Sequence, residues 1–317
     1  MRRSTPASVL FSTYNLLNLS AGSGPHYESI VAVIRSLDCD VLAVQEVLAP
    51  DPEAAGDLLR RLAADVGMRC EVPRGNGAGN SGNSAAVAFG GHAYHVGLMW
   101  RDGVEPVPDS LRCFGGNDFW HGLAVVTLDV GGTLVRHASF HAGPFSRLQR
   151  ADQNERLVAA VTRSQGSASP ALIGADWNAE CADRVQDSDG TWRYYEPADP
   201  YADVPWFADL VYQCEWDYDA TGSRRHWADR RAGDVLWSGG LQDAAAVLGA
   251  RWQATTGHHL DDVYAQHGIQ RRIDAVRVTA QLLPAMRGHQ VLDSEAARAA
   301  SDHLPVTVEY LPAALHP

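Results

Sequence analysis

No lysine occurs in this chain: all 26 basic residues are arginine. With the heavy use of alanine, this is the bias of a GC-rich bacterial genome and carries no functional content. Positive charge is not in excess either, since 38 acidic residues set the formal net charge at −12. The chain as a whole therefore offers no basic face that would hold a nucleic-acid backbone by counterion release, and a polyanionic substrate would need a local arginine patch or a metal. The five cysteines, Cys39, Cys70, Cys113, Cys181 and Cys214, form no C-x-x-C pair and are odd in number. Reduced, mostly buried thiols are expected, and a disulfide framework or zinc site is the poor alternative. No run of about 18 apolar residues exists, so no membrane span is expected. Met1 to Pro6 lead into a strand-like run with no small-residue cleavage site after it, which reads as a cytoplasmic protein. Neither a tandem repeat nor a long linker interrupts the chain, so one domain over 1–317 is the simpler reading, and a monomer is expected. The Gly/Asn-rich stretch 74–83 lacks the G-K-[ST] ending of a phosphate-cradling loop and reads as a mobile surface loop.

What is present is an ordinary soluble composition, 45% hydrophobic and 20% charged. Short apolar runs separated by polar, Gly-containing turns predict strands at Ser8–Tyr14, Val41–Val47, Ala85–Phe89, Val96–Trp100, Leu123–Val130, Leu134–His141, Ala171–Gly174, Ile273–Val278 and Leu304–Tyr310. Helices are expected at Tyr27–Leu37, Glu53–Val66 and Ser146–Arg163, the last with Leu148, Ala151, Leu157, Val158 and Val161 roughly at helical spacing. This order suggests an α/β (α+β) fold of two packed sheets with helices outside.

Polar residues at strand ends are the informative feature, because a rigid sheet can hold a reactive group there in fixed geometry. The first strand ends at Asn15, the second at Gln45-Glu46, and another at His141 before a Gly-Pro turn. Asp176-Trp177-Asn178 follows an apolar strand and places an Asp and an Asn two apart, pointing the same way. Arg272-Ile273-Asp274 sets an Asp inside a strand, and Ser301-Asp302-His303-Leu304-Pro305-Val306 pairs Asp with His before the last one. A buried strand Asp needs a partner, and a histidine is the natural one.

Through T-Y-N, Q-E, the strand ending in His141, D-W-N, R-I-D and S-D-H-L-P-V, in that order, residues 8 to 310 resemble the endonuclease/exonuclease/phosphatase, or deoxyribonuclease-I-like, superfamily. The resemblance implies a four-layered α/β sandwich, two packed mixed β-sheets flanked by helices. It implies a phosphoester hydrolase dependent on Mg²⁺ or Mn²⁺, with Glu46 as the main metal carboxylate and Asn15 and Asp302 beside it. Asp176 would take the proton of the attacking water and Asn178 would orient it. His141 and His303 would contact the scissile phosphate, and Asp274 would fix the tautomer of His303. The chemistry agrees: a hard cation prefers oxygen ligands and an open site, and a carboxylate behind a histidine favours the imidazolium that can donate. Three positions depart from the family's commoner pattern: Ser139 for an Asn two before the His, Ala175 for a Gly before the Asp, and Leu17 where abasic-site endonucleases carry a second acid. The last argues against that particular repair activity. The other histidines receive no role.

Substrate is a matter for the loops in such a fold. Most of the nine tryptophans lie between Asn178 and Asp274, around an aromatic-rich insertion at about 189–237. They read as a satellite core or as a wall that stacks on a flat group near the phosphate. Arg147 and Arg150, with Arg224-Arg225, are candidates for gripping a second phosphate, or are plain helix-surface residues. Hydrolysis of a nucleic-acid or nucleotide phosphodiester is the favoured activity. A small phosphorylated metabolite or lipid headgroup is the alternative, and a binding-only relative is disfavoured by the complete set of polar residues.

Overall fold

The computed structural model describes residues 8–74, 83–163 and 169–315. Most of the Gly/Asn-rich stretch at 74–83 lies outside the described residues. Two mixed sheets form the centre. In the first the strand order is Met286–Val291, Val306–Tyr310, Val9–Leu19, Val41–Leu48, Tyr94–Trp100 and Val87–Phe89. In the second it is Leu241–Asp243, Asp274–Thr279, Ala171–Asp176, Thr133–His141, Leu123–Val130 and Glu105–Pro106, with Arg112–Phe114 also on Leu123–Val130. Neither sheet closes on itself.

The central strands are apolar on both faces because both faces are covered. In the first sheet Val9, Phe11, Val41 and Ala43 face the second sheet and meet Leu172, Val276 and Val278. The intervening Leu42 and Val44 face outward onto Ile30, Ile34, Leu58, Leu59 and Leu62 of the helices Pro25–Leu37 and Pro52–Val66. Asp51 caps the second helix by accepting from the Ala54 N–H, and Gly67 ends it in the left-handed region at φ 73°. On the far side Ile173 and Ala175 pack with Leu157, Val161 and Leu236 of the helices Arg147–Thr162 and Arg231–Ser238. Helix, sheet, sheet and helix are the four expected layers. Each fully buried Val, Leu or Ile contributes roughly 1.5–3 kcal/mol relative to exposure.

The sheets touch most closely at Gly174, where a Cβ would lie 2.7 Å from Cβ of Thr13 and 3.0 Å from Cβ of Ala43. Glycine is required there by packing, whereas Ala175 points the other way into the outer core and needs no such room.

Several expectations need correction. The strand expected over Ala85–Phe89 is two: Asn83–Ala85 pairs with Glu71–Pro73 in a separate ribbon, and Val87–Phe89 pairs with Tyr94–Trp100. Ala86 is the crossover, its N–H donating to Cys70 and its C=O accepting from Leu98. The last strand starts at Val306, not Leu304, and Asp274 opens its strand instead of lying within it. Leu148 is 67% exposed. The buried face of its helix is half polar, with Arg150, Gln153 and Asn154 beside Ala151, Leu157 and Val161.

The aromatic-rich insertion folds as the short helix Ala208–Tyr212 and the hairpins Arg184–Gln186/Trp192–Tyr194 and Cys214–Tyr218/Arg224–Ala228. Tyr201, Leu210, Cys214, Ala228, Tyr264 and Ile269 make a satellite core there, while Trp192, Tyr218 and Trp227 stay exposed. All five cysteines are free, four of them buried and Cys113 exposed. Among the described residues no helix is long and apolar enough to cross a membrane.

Candidate active site

Strand direction brings the singled-out residues to one edge. Val9–Leu19 and Val41–Leu48 run parallel, with Asn15 opposite Gln45. Thr133–His141 and Ala171–Asp176 also run parallel, with His141 opposite Asp176. Asp274 begins an antiparallel strand opposite Asp176, and Val306 pairs with Thr13, so Asp302 and His303 arrive at the same edge just before it. The seam between the sheets is bridged by buried polar contacts: Thr13 donates to Gln45 Oε1, Gln45 Nε2 to Ser139 Oγ at 3.1 Å, and Ser139 Oγ to the Val44 carbonyl at 2.8 Å. Ser139 is therefore part of the inter-sheet link.

Asp176 is the hub. Its Oδ2 accepts from Asn15 Nδ2 at 3.0 Å and lies 3.2 Å from His141 Nε2 and 3.8 Å from His303 Nε2. Its Oδ1 accepts the N–H of Asn178 at 2.9 Å. Trp177 anchors the turn, donating from Nε1 to the Ala275 carbonyl, so that Asp176 and Asn178 emerge on one side of a fixed backbone. Asn178 sits at φ 48°, a left-handed conformation asparagine tolerates better than most residues. Its Nδ2 donates to the Ala142 carbonyl at 3.0 Å, 3.1 Å from His141 Nε2.

His303 Nδ1 lies 2.8 Å from Asp274 Oδ2. Because that nitrogen faces a carboxylate it carries a proton, which leaves Nε2 directed to the seam. Asp274 is set by its own N–H, which donates to Thr255 Oγ1, and His303 by its N–H to Ser301 Oγ. Ser301 Oγ in turn donates to the Asn15 carbonyl at 2.9 Å, tying the last motif to the first.

Burial works against charge on both imidazoles, but carboxylates outweigh it. His303 rises well above the usual histidine range through Asp274, Asp302 and Asp176, and His141 rises through Asp176 and Glu46. Burial also opposes charge on Asp176, yet His141 and His303 hold its carboxyl below the usual range. The proton shared by Asp274 and His303 resides on the imidazole, which three carboxylates face.

Glu46 stands in a bulge at φ 61°, with the register shifting between Val44 and Val47. Left-handed backbone at a non-glycine residue costs on the order of 1–2 kcal/mol, and bulges beside active sites re-aim side chains. Glu46 Oε1 accepts from Asn15 Nδ2 at 3.2 Å and Oε2 from the Asn18 N–H at 2.8 Å. Asn15 Oδ1 accepts the Leu17 N–H at 3.1 Å, so the Asn15 amide bridges Glu46 and Asp176 as a donor. Asp176, Asp274 and His303 are the cluster whose potential metal-binding atoms lie within 4.8 Å of one another among the described residues. That trio is already joined by the His303 hydrogen bond. Glu46 and Asp302, both half-buried and without an arginine partner among the described residues, each offer carboxylate oxygens, the ligand type a hard divalent cation prefers.

Two arginines read as phosphate grips are engaged elsewhere. Arg150 is buried and donates to the carbonyls of Gly143, Pro144 and Tyr212, pinning the loop after His141 to the insertion. Gln153 accepts the Gly143 N–H in the same loop. Arg147 lies 3.6 Å from Asp229 and over the Trp216 ring. One residue the sequence reading passed over is His121, whose ring stacks on His141 at 4.1 Å and 22°. Burial, with the charge of His141, pushes His121 down to about 2, so it is a neutral platform beneath a cationic ring. Only its position before an apolar strand hinted at this.

The profile of the Endonuclease/Exonuclease/phosphatase family matches residues 12–303, nearly the whole chain, and takes in the site residues from Asn15 to His303. The chain belongs to the endonuclease/exonuclease/phosphatase family. This is a family of hydrolases that act on phosphoesters. No curated protein matches the sequence. A family protein from Bacteroides thetaiotaomicron is similar in structure at 16% identity, TM-score 0.59, over 97% of this chain and 96% of that one. An AP endonuclease from Archaeoglobus fulgidus is similar at 18% identity, TM-score 0.57, over 95% and 99%. A mannosyl-6-phosphatase from B. thetaiotaomicron is similar at 16% identity, TM-score 0.55, over 95% and 98%. At such identities the likeness is one of fold.

Proposed function

We propose that this family member is a divalent-metal-dependent phosphodiesterase acting on nucleic acid or nucleotides by attack of water on phosphorus. The observation that carries the reading is Asp176: an ionised carboxylate at the seam, flanked by two imidazoles, with a second carboxylate behind one of them. Glu46 and Asp302 would hold Mg²⁺ or Mn²⁺, which polarises a phosphoryl oxygen and offsets the charge that builds on the phosphate. Asp176 accepts the proton of the attacking water at a carboxylate oxygen, while Asn178 orients that water. His303, its Nδ1 committed to Asp274, donates from Nε2 to a phosphoryl oxygen. His141 donates from its Nε2, which also faces the seam. Asn15 keeps Glu46 and Asp176 apart with one amide that donates to both.

A diester is favoured over the monoester of a small metabolite or lipid headgroup by Arg147 and Arg150. Both are committed to protein partners, and a terminal phosphate with its extra charge would call on such groups. Bis(p-nitrophenyl) phosphate and p-nitrophenyl phosphate, assayed with Mg²⁺, with Mn²⁺ and after exhaustive EDTA, test both parts. The expected result is metal-dependent turnover with the diester cleaved faster. Undiminished turnover after EDTA would remove the metal from the reaction, and preference for the monoester would favour the phosphatase alternative.

A further inference from the structure

Val9–Leu19 does not run straight through the site. Between Asn15 and Leu19 it spans four steps while its neighbour advances only from Gln45 to Val47, so Leu16, Leu17 and Asn18 bulge outward. Leu17 at φ 48° and Asn18 at φ 56° are consecutive left-handed residues, and neither is glycine. Such a conformation persists only where the surroundings over-determine it. Here two amides of the bulge serve the site: Leu17 N–H holds Asn15 Oδ1, and Asn18 N–H holds Glu46 Oε2.

His26 secures the bulge from the far side. Its Nε2 lies 3.0 Å from the Leu16 carbonyl and 2.9 Å from the Leu17 carbonyl. Both are acceptors, so Nε2 carries the hydrogen and donates to the pair. The ring is half-buried and comes from the second residue of the helix Pro25–Leu37, whose Tyr27, Ile30, Val33 and Ile34 fix it against the first sheet. A rigid helix thus anchors a strained strand end, and that end orients Glu46.

We propose that His26 is a positioning residue for Glu46, clamping the Leu17–Asn18 bulge so that the Asn18 amide aims the carboxylate, and that it thereby sets the affinity of the site for a divalent cation. The inference rests on the metal-dependent reading. Partners that orient a metal ligand typically change affinity by about 10–100-fold when removed.

Calorimetric titration with Mn²⁺ of the full chain and its His26→Ala and His26→Gln variants tests it. The expected result is Mn²⁺ binding weakened about 10–100-fold in His26→Ala, on the scale of lost ligand-orienting partners, with a parallel rise in the Mn²⁺ needed for half-maximal turnover. His26→Gln, whose amide nitrogen reaches a similar distance, should recover most of the affinity. A residue needed only for folding would lower the melting temperature and leave the Mn²⁺ affinity of the folded protein unchanged. Should His26→Ala not fold, His26→Asn, too short to span both carbonyls, takes its place. Wild-type affinity in His26→Ala, or in His26→Asn where it takes that place, overturns the inference alone, whereas a wild-type chain that binds no Mn²⁺ overturns the metal-dependent reading with it.

Discussion

Asp176 illustrates how one buried side chain can be both a candidate for chemistry and structurally committed. Asn15, His141 and Asn178 all donate to or contact its two oxygens, and its charge in turn supports the imidazolium forms of His141 and His303. Asp176→Asn removes the proposed proton acceptor and that support together, so the rate should fall by at least ~10², the scale of lost general-base catalysis. Steady-state kinetics on the diester should show the loss in kcat with KM little changed. A variant that keeps a tenth of the rate would show that another group takes the proton. Arg150 makes the opposite point, since in sequence it resembles any helix-surface arginine next to a motif. With three backbone carbonyls as acceptors, Arg150→Met should destabilise the fold by at least about 4 kcal/mol, from hydrogen bonds to a charged donor at about 1.5–3 kcal/mol each. Urea denaturation measures it, and a change under about 0.5 kcal/mol, the ordinary range for surface substitutions, would mean the pinning contacts are dispensable.

At the scale of elements, the sequence was most legible where strands were long and apolar on both faces. Leu123–Val130 matches the expected strand at both ends, and Thr133–His141 and Val41–Leu48 differ by one residue, whereas Val9–Leu19 runs on past the expected end at Tyr14 through its bulge. Strands of two or three residues, such as Glu105–Pro106 and Leu241–Asp243, carry too few side chains to show a period, and their pairing is set by distant partners. The crossover at Ala86 was invisible for the same reason. The polar residues at strand ends do converge, and their order along the chain pointed to it. The His26 clamp left no mark and the His121 stack only the faint one of its place before an apolar strand, because each depends on where a ring comes to rest in the fold. Gly174 shows how tightly the two sheets are keyed. Gly174→Ala places a methyl 2.7 Å from Thr13 Cβ, and forcing the sheets apart should cost about 1–3 kcal/mol, as overpacking does. Urea midpoints compare the variants directly, with Gly132→Ala not an adequate control because its φ of 88° adds strain of its own. Equal stability of Gly174→Ala and wild type would mean the seam yields easily.

For the whole molecule, buried histidines tie stability to pH. Burial holds His137 down to about 3, its ring sitting between the sheets with Nε2 3.0 Å from the Tyr310 hydroxyl. Burial and Arg272 hold His289 down to about 4. Unfolded, each would titrate near 6.5. Below that value the unfolded chain binds protons the folded chain refuses, so their contribution is intact above about pH 6.5 and declines as pH falls toward the folded values. Between pH 6.5 and 5 the loss is about 2 kcal/mol for each histidine, at 1.36 kcal/mol per pH unit. Urea denaturation at pH 7.5, 6 and 5 should show this decline, and His137→Phe should flatten it by about one proton while lowering stability overall. A pH slope left unchanged by His137→Phe would mean that this ring is already protonated in the fold.

The strand Val306–Tyr310 lies between Met286–Val291 and Val9–Leu19, beside a strand that precedes it by almost three hundred residues. As the ribosome extends this chain, Asn15, Glu46, His141 and Asp176 emerge well before Asp274, Asp302 and His303. The N-terminal strand must wait, its edge unpaired, for a partner almost three hundred residues later. Until then there is no imidazole at the position of His303 and no Ser301 hydroxyl to fasten Asn15. On the proposed reading, a chain that stops short of Ser301 would lack both the His303 imidazole and the fastening of Asn15, and hydrolytic competence would arrive only with the strand Val306–Tyr310.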